Sequence, residues 1–184
     1  GTQGEGPGEH RSLRDFAVFP DGAVVLCSGN KLIRFNETGE LANETMLSFF
    51  PEGLVVNDGK IYIQSAGGHA GQKAEEAVYI FDAALTPISG AGQIDDKFER
   101  YWFSSRLGPA VRDDEIVWRD PFAFRLIGFE PNTGEWSRYE FPGRSQDFES
   151  LWGKEQLSQA EEQSIIRGTH RIIDVLALHK GWFF

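Results

Sequence analysis

Short stretches of alternating apolar and polar residues, separated by turn residues, run along most of this chain. Alternation places successive side chains on opposite faces of an extended backbone, so the pattern predicts many short β-strands. An acidic turn, Asp-Gly in the first two cases, comes before a β-rich run within residues 20–26, 57–63 and 112–118. Asp-Gly between two strands is typical of a hairpin. The chain is therefore predicted to be all-β.

A second signal recurs in step with these turns, a run that ends in Phe followed by a polar residue. It ends at Phe35, Phe81 and Phe129, and spacings of about 40 to 50 residues are those of propeller blades with four strands each. The sequence thus predicts β-propeller blades of four antiparallel strands. The predicted blades span approximately residues 13–47, 53–92 and 109–142, and a fourth begins within 171–184, so that residues 1–184 form one partial propeller.

One segment departs from the β-pattern. Ser158 to Glu161 has the capping-box sequence of a helix start, and Gly168 suits a helix stop. We therefore expect a short helix near residues 159–167, within an insertion at approximately 150–168 between the third and fourth blades.

Composition excludes several classes of function. The 184 residues carry a formal net charge of −10, whereas nucleic-acid binding needs clustered basic residues, so no nucleic-acid partner is expected. The single cysteine, Cys27, allows no intrachain disulfide and no cysteine-rich zinc site, and it leaves the redox compartment undetermined. No apolar run approaches the roughly 18 residues of a membrane span, so no transmembrane segment is expected.

An array of three blades and part of a fourth would leave a strand edge and an apolar blade face in contact with water. We expect the remaining blades to come from a longer parent chain, of which this sequence is a piece, or from a second copy. A third possibility is that the open edge itself pairs with a partner's strand.

The opening residues Gly4-Glu5-Gly6-Pro7-Gly8-Glu9, followed by the first predicted blade, carry a family resemblance. They resemble the start of bacterial six-bladed β-propeller proteins related to the NHL-repeat group, although His10 stands where that family commonly has Phe. The resemblance implies a six-bladed ring in the bacterial cell envelope. It also implies a periplasmic or extracellular location, with a lipid anchor on the full-length protein in some members.

In a propeller, the connections from the second to the third strand, and from one blade to the next, emerge on one face, where function usually lies. The Gly-rich connection at 65–76, centred on His69, is interpreted as a ligand-gripping loop or as a plain solvent-exposed excursion. The helical insertion is interpreted as a lid over the channel mouth or as packing over an exposed edge. Candidate ligand-binding residues on this face are His69, Arg106, Arg119, Asp120, Arg144 and Trp152.

We interpret the chain as a non-catalytic binding module whose loop-rich face takes a small molecule, a glycan or a protein, with arginines donating hydrogen bonds to anionic groups. The alternative is a hydrolase or lyase in the channel mouth, with Asp120 and His69 as base or metal ligand. No histidine has a partner at a metal-ligand spacing, so no metal site, catalytic residue or cofactor is predicted. Cys27, within an apolar strand, is expected to be a buried and inert thiol.

Overall fold

A computed structural model of this chain describes residues 4, 6–68, 74–93, 108–119, 125–140, 158, 176–178 and 181–183. These residues form β-strands and turns. The chain divides into two compact units, Gly1–Pro109 and Ala110–Phe184. The predicted helix near 159–167 lies outside the described residues.

The first unit contains two four-stranded antiparallel sheets. The first sheet comprises β1 (Leu13–Val18), β2 (Val24–Ser28), β3 (Lys31–Phe35) and β4 (Leu41–Met46), and the second comprises β5 (Phe49–Asn57), β6 (Lys60–Gly68), β7 (Glu76–Phe81) and β8 (Pro87–Gln93). In both sheets the strands lie side by side in chain order. This confirms the prediction of all-β, four-stranded antiparallel blades.

The second unit repeats the same arrangement once in full. Its four-stranded sheet comprises β9 (Ala110–Arg112), β10 (Glu115–Arg119), β11 (Arg125–Glu130) and β12 (Glu135–Glu140), again in chain order. A separate two-stranded antiparallel sheet comprises β13 (Leu176–Leu178) and β14 (Gly181–Phe183). Residues 171–175 of the predicted fourth blade lie outside the description.

The acidic turns have the backbone conformation that their residues favour. Asp58 and Gly59 join β5 to β6 with φ angles of 47° and 70°, and left-handed φ at both central positions is the geometry of a two-residue hairpin. Asp113 takes the same region, with φ 52°, between β9 and β10. Asp tolerates this conformation better than most residues. Asp114, at the position that glycine takes in the other two turns, does not have a positive φ, so no glycine is required there.

The hydrophobic core of the first unit joins its two sheets. Val25, Cys27 and Leu32 are fully buried on the first sheet, and they belong to one cluster with residues of the second sheet that include Ile61 and Ile63. The two first strands, β1 and β5, are in direct contact. One face of the first sheet is thus covered by the second sheet.

The opposite face of the first sheet is partly exposed, and we call it the open flank. Residues that pair across the four strands form three rows on this face. Given in order from β1 to β4, the rows are Leu13, Ser28, Lys31 and Met46; Phe16, Leu26, Ile33 and Glu44; and Val18, Val24, Phe35 and Leu41. Its large apolar side chains Leu13, Phe16, Val18, Leu41 and Met46 are between 40% and 65% exposed.

Two strands of the second blade extend beyond their approximate predicted bounds. The strand β5 begins at Phe49, before the approximate predicted start of the blade at Gly53. Pro51 has no amide to give to a sheet, and β5 accommodates it through irregular pairing on either side of Pro51. The predicted Gly-rich connection is also shorter at its start, because β6 continues through Gly68.

Candidate functional site

The predicted site residues fall mostly outside the described part of the chain. His69, Arg106, Asp120, Arg144 and Trp152 are not among the described residues. Arg119 is the last residue of β10, and its backbone pairs with Leu126 of β11. It therefore lies where the connection between the second and third strands begins. The assembly of the six candidate residues into one site stays a prediction.

The connections between strands have unequal lengths at the two ends of the sheets. At one end, the first strand joins the second and the third joins the fourth through short turns, of which Asp58–Gly59 is an example. At the other end, the second strand of each sheet leads to the third, through residues 29–30 in the first sheet, 69–75 in the second and 120–124 in the third. The connection between β6 and β7 is the longest within any of the three sheets, and it belongs to the end at which His69 was predicted.

An aspartate stands at the contact between β1 and β5. The Asp15 carboxylate accepts a hydrogen bond from the Leu54 amide at 2.9 Å, across the junction of the two sheets. A Cβ atom on Gly53 would overlap the Cα of Gly108, and one on Gly108 would lie 3.2 Å from the Cα of Gly53. Sequence reasoning missed this contact, although an Asp next to the apolar run Phe16-Ala17-Val18 was a signal for it. The backbones at Gly53 and Gly108 therefore lie in close contact, which leaves no room for a ligand between them.

A polar cavity lies beside the sheet of the second unit. Its volume is about 440 Å³, and its lining residues are Arg112, Asp113, Asp114, Glu115, Glu130, Glu135, Ser137 and Tyr139. The Glu115 carboxylate accepts hydrogen bonds from the Ser137 and Tyr139 hydroxyls, the latter at 2.5 Å. The guanidinium of Arg112 stands 5.3 Å from the centre of the Tyr139 ring. Side chains of the cavity thus bond to one another.

The surroundings of this cavity change the pKa of Tyr139. Burial, and next the hydrogen bond to Glu115, raise the pKa of the Tyr139 hydroxyl above its ordinary value. The phenol therefore stays protonated and keeps donating to Glu115 at neutral pH. Asp113 and Asp114, interpreted from the sequence as turn residues, do lie in the turn between β9 and β10.

The described residues offer few chemically reactive groups. Cys27 is buried in β2, and burial raises its thiol pKa to about 12. Because the thiolate is the nucleophile, this cysteine is inert at neutral pH. Among the described residues, no three His, Cys, Asp or Glu side chains are grouped so that they could hold a metal ion. Within the same part of the chain, no helix has the length and apolar character needed to cross a membrane.

A protein family described as a 6-bladed beta-propeller matches residues 1–133 of this chain. No curated protein matches the chain. Among solved structures, a Bacteroides fragilis protein predicted to be exported has 16% sequence identity and a TM-score of 0.54, with 75% of this chain and 40% of that chain covered. At this identity the likeness shows the fold alone. Because the match covers only 40% of that protein, this chain spans less than half of its length.

Two further structures have lower scores. The WD40 domain of Pan2 from Neurospora crassa has 16% identity and a TM-score of 0.45, covering 70% of this chain and 40% of that chain. PorZ of Porphyromonas gingivalis, described as a surface component of the type-IX secretion system, has 14% identity and a TM-score of 0.41. The match to PorZ covers 70% of this chain and 16% of that chain.

Proposed function

The chain belongs to a family of six-bladed β-propellers, and from that premise we propose that it is a non-catalytic binding module of the bacterial cell envelope. Its ligand, a small molecule, a glycan or a protein, would bind at the end of the blades where the second strand leads to the third. We also propose a periplasmic or extracellular location, a relation to the NHL-repeat group, and a lipid anchor on the full-length protein.

The long connection between β6 and β7 is the observation that carries this proposal. The four-stranded sheets hold their strands in regular pairing, and this connection, which contains His69, is the longest within any of the three sheets. Binding residues on loops that a rigid scaffold positions are a general solution in proteins. Arg119 begins the connection from β10 to β11, which contains Asp120. We propose that His69, Arg106, Arg144 and Trp152 lie at the same end of the blades.

Binding to an acidic glycan tests this proposal. The predicted arginines suit carboxylates, because a guanidinium donates paired hydrogen bonds to such groups. We expect the chain to bind oligogalacturonate in calorimetric titration, and to bind a neutral oligosaccharide of equal length more weakly. Combined replacement of Arg106, Arg119 and Arg144 by Ala is expected to weaken oligogalacturonate binding at least about tenfold.

The matched control is Arg138→Ala, which removes an exposed arginine from β12, away from the long connections. It should leave the affinity unchanged. Absence of binding to oligogalacturonate, or an equal loss in the control, would contradict the proposed anionic ligand. Stoichiometric calcium or zinc that stays bound through purification, together with turnover of a glycan, would favour the hydrolase or lyase alternative.

We further propose that another blade covers the open flank, supplied by a longer parent chain or by a second copy. Hairpin register supports this, because Phe16 and Val18 of the first sheet occupy the positions of Leu54 and Val56 in the second sheet. Leu54 is buried in the cluster between the two sheets, and Val56 packs against that cluster. The first sheet therefore presents toward solvent the kind of face that a neighbouring blade covers in the second sheet.

Light scattering on the 184-residue chain tests this expectation. The open flank should drive concentration-dependent association, because exposed apolar patches favour burial. Phe16→Asp should reduce association by placing a charge in the flank, whereas Ile88→Asp, at a 52% exposed position on β8, should not. A chain that stays monomeric at all concentrations, or equal effects of both substitutions, would count against the flank as a blade contact.

A further inference from the structure

The Gly-rich opening folds back on itself before it reaches β1. The Glu9 carboxylate accepts a hydrogen bond from the Gly6 amide at 2.8 Å, and the Glu9 amide donates to the Gly6 carbonyl at 3.0 Å. The Gly4 amide donates to the His10 carbonyl at 3.1 Å. A Cβ atom on Gly4 would overlap the Glu9 carboxylate. The glycines therefore let Glu9 close a compact turn, and we call Gly4 together with residues 6–10 the strap.

The strap is attached to the open flank by charged groups from two strands. The Glu44 carboxylate of β4 accepts a hydrogen bond from the Gly8 amide at 2.9 Å. The Lys31 ammonium of β3 donates to the Gly6 carbonyl at 3.0 Å and lies 3.3 Å from Glu44. The bond from Gly8, and next Lys31, hold the pKa of Glu44 below its ordinary value. One ion pair between neighbouring strands thus holds the strap at two backbone positions.

Burial along the flank agrees with this attachment. Ile33 is 0% exposed, although Phe16, two strands away in the same cross-strand row, is 59% exposed. The side chain of Leu41 lies within reach of Gly8, where a Cβ would meet it at 3.6 Å. The middle of β3 is thus covered, while β1 and the Met46 end of β4 are open.

We infer that the strap is a closing element of the first blade, held by Lys31 and Glu44, which covers the middle of β3 on the open flank and leaves β1 and the Met46 end of β4 available to another sheet. The Gly-rich turn thereby has a structural purpose, since its amides and carbonyls are directed at Glu9, Glu44 and Lys31. The strap would have to open before any sheet could pack across the whole flank. This inference does not depend on the ligand proposed for the long connections.

Hydrogen exchange of individual amides in the full 184-residue chain tests the strap. Glu44→Ala removes the acceptor of the Gly8 amide, and Lys31→Met removes the donor to Gly6. Each is expected to speed exchange at Gly8 by about tenfold or more, because a hydrogen bond to a charged group is lost. The control Glu37→Ala changes an exposed glutamate in the turn between β3 and β4 and should leave the Gly8 rate unchanged.

A thiol reporter provides the second readout. Because Cys27 is buried, a cysteine introduced by Ile33→Cys would be the thiol that reacts when the strap opens. We expect its labelling to be slow in the parent chain and about tenfold faster with Glu44→Ala, while exchange of the β2 amides stays unchanged. Gly8 exchange or Ile33→Cys labelling that is equally fast with and without the Lys31–Glu44 pair would overturn the inference. Simultaneous loss of β2 protection would overturn it as well, since the pair would then hold the whole sheet.

Discussion

Replacement of Phe49 by alanine is expected to lower the free energy of unfolding by about 3–5 kcal/mol. Phe49 is 2% exposed at the start of β5, within the core cluster that joins the two sheets of the first unit. Its ring stacks on that of Tyr79, with 3.9 Å between the centroids and 9° between the planes. The Tyr79 hydroxyl in turn accepts hydrogen bonds from the Glu75 and Glu76 amides. The truncation would leave a cavity and remove the surface on which Tyr79 rests. Urea unfolding, followed by tryptophan fluorescence and by circular dichroism, measures the change.

The matched control for this prediction is Phe16→Ala, the same truncation on the open flank. Phe16 is 59% exposed, so its loss should change the free energy of unfolding by less than about 1 kcal/mol in a dilute monomer. A loss below about 1 kcal/mol at Phe49 would contradict the packing described here. Equal losses at both positions would show that the flank is covered in solution.

Gly53→Ala is expected to lower the stability by about 3 kcal/mol, at the upper end of ordinary overpacking costs. The new methyl group would overlap the Gly108 backbone and stand 2.9 Å from an Asp15 carboxylate oxygen. Backbone cannot rotate away as a side chain can, so β5 would have to move from β1 and stretch the bond between Asp15 and the Leu54 amide. Thermal unfolding should show a Tm lower by roughly 6–12 °C for a chain of this size.

The comparison for Gly53 is Gly29→Ala. Gly29 has a φ of 60° and no atom within 4 Å of an added Cβ, so its substitution costs only the backbone strain of about 1–2 kcal/mol. A smaller loss at Gly53 than at Gly29 would show that the close approach to Gly108 does not form in solution. Urea unfolding of both variants measures this difference.

The repeated strands and turns could be predicted because each depends on neighbouring residues. The alternation within residues 23–27 and the left-handed turn at Asp58–Gly59 are local, and the structure contains the corresponding strands in chain order. The start of β5 could not be predicted in the same way. Pro51 ordinarily excludes a regular strand, and only the irregular pairing with β6 shows how the sheet accepts it.

The contacts between distant residues had weaker signals in the sequence. Lys31 and Glu44 come together because β3 and β4 pair, but their attachment to Gly6 and Gly8 depends on where the opening segment crosses the sheet. The bond from the Leu54 amide to Asp15 likewise requires two sheets to meet. Of the candidate site residues, Arg119 is placed at a strand end, and the meeting of the other five remains a prediction.

Because each four-stranded sheet consists of strands that follow one another in the chain, each is built from hairpins that close over short distances in sequence. Such local pairing is kinetically fast. A sheet of this kind can form as soon as its last strand leaves the ribosome or a translocation channel, before the next sheet has been synthesised. During that interval the face that joins the first sheet to the second would be bare, so a chaperone that shields aliphatic surfaces would have its greatest effect between the emergence of β4 and that of β8.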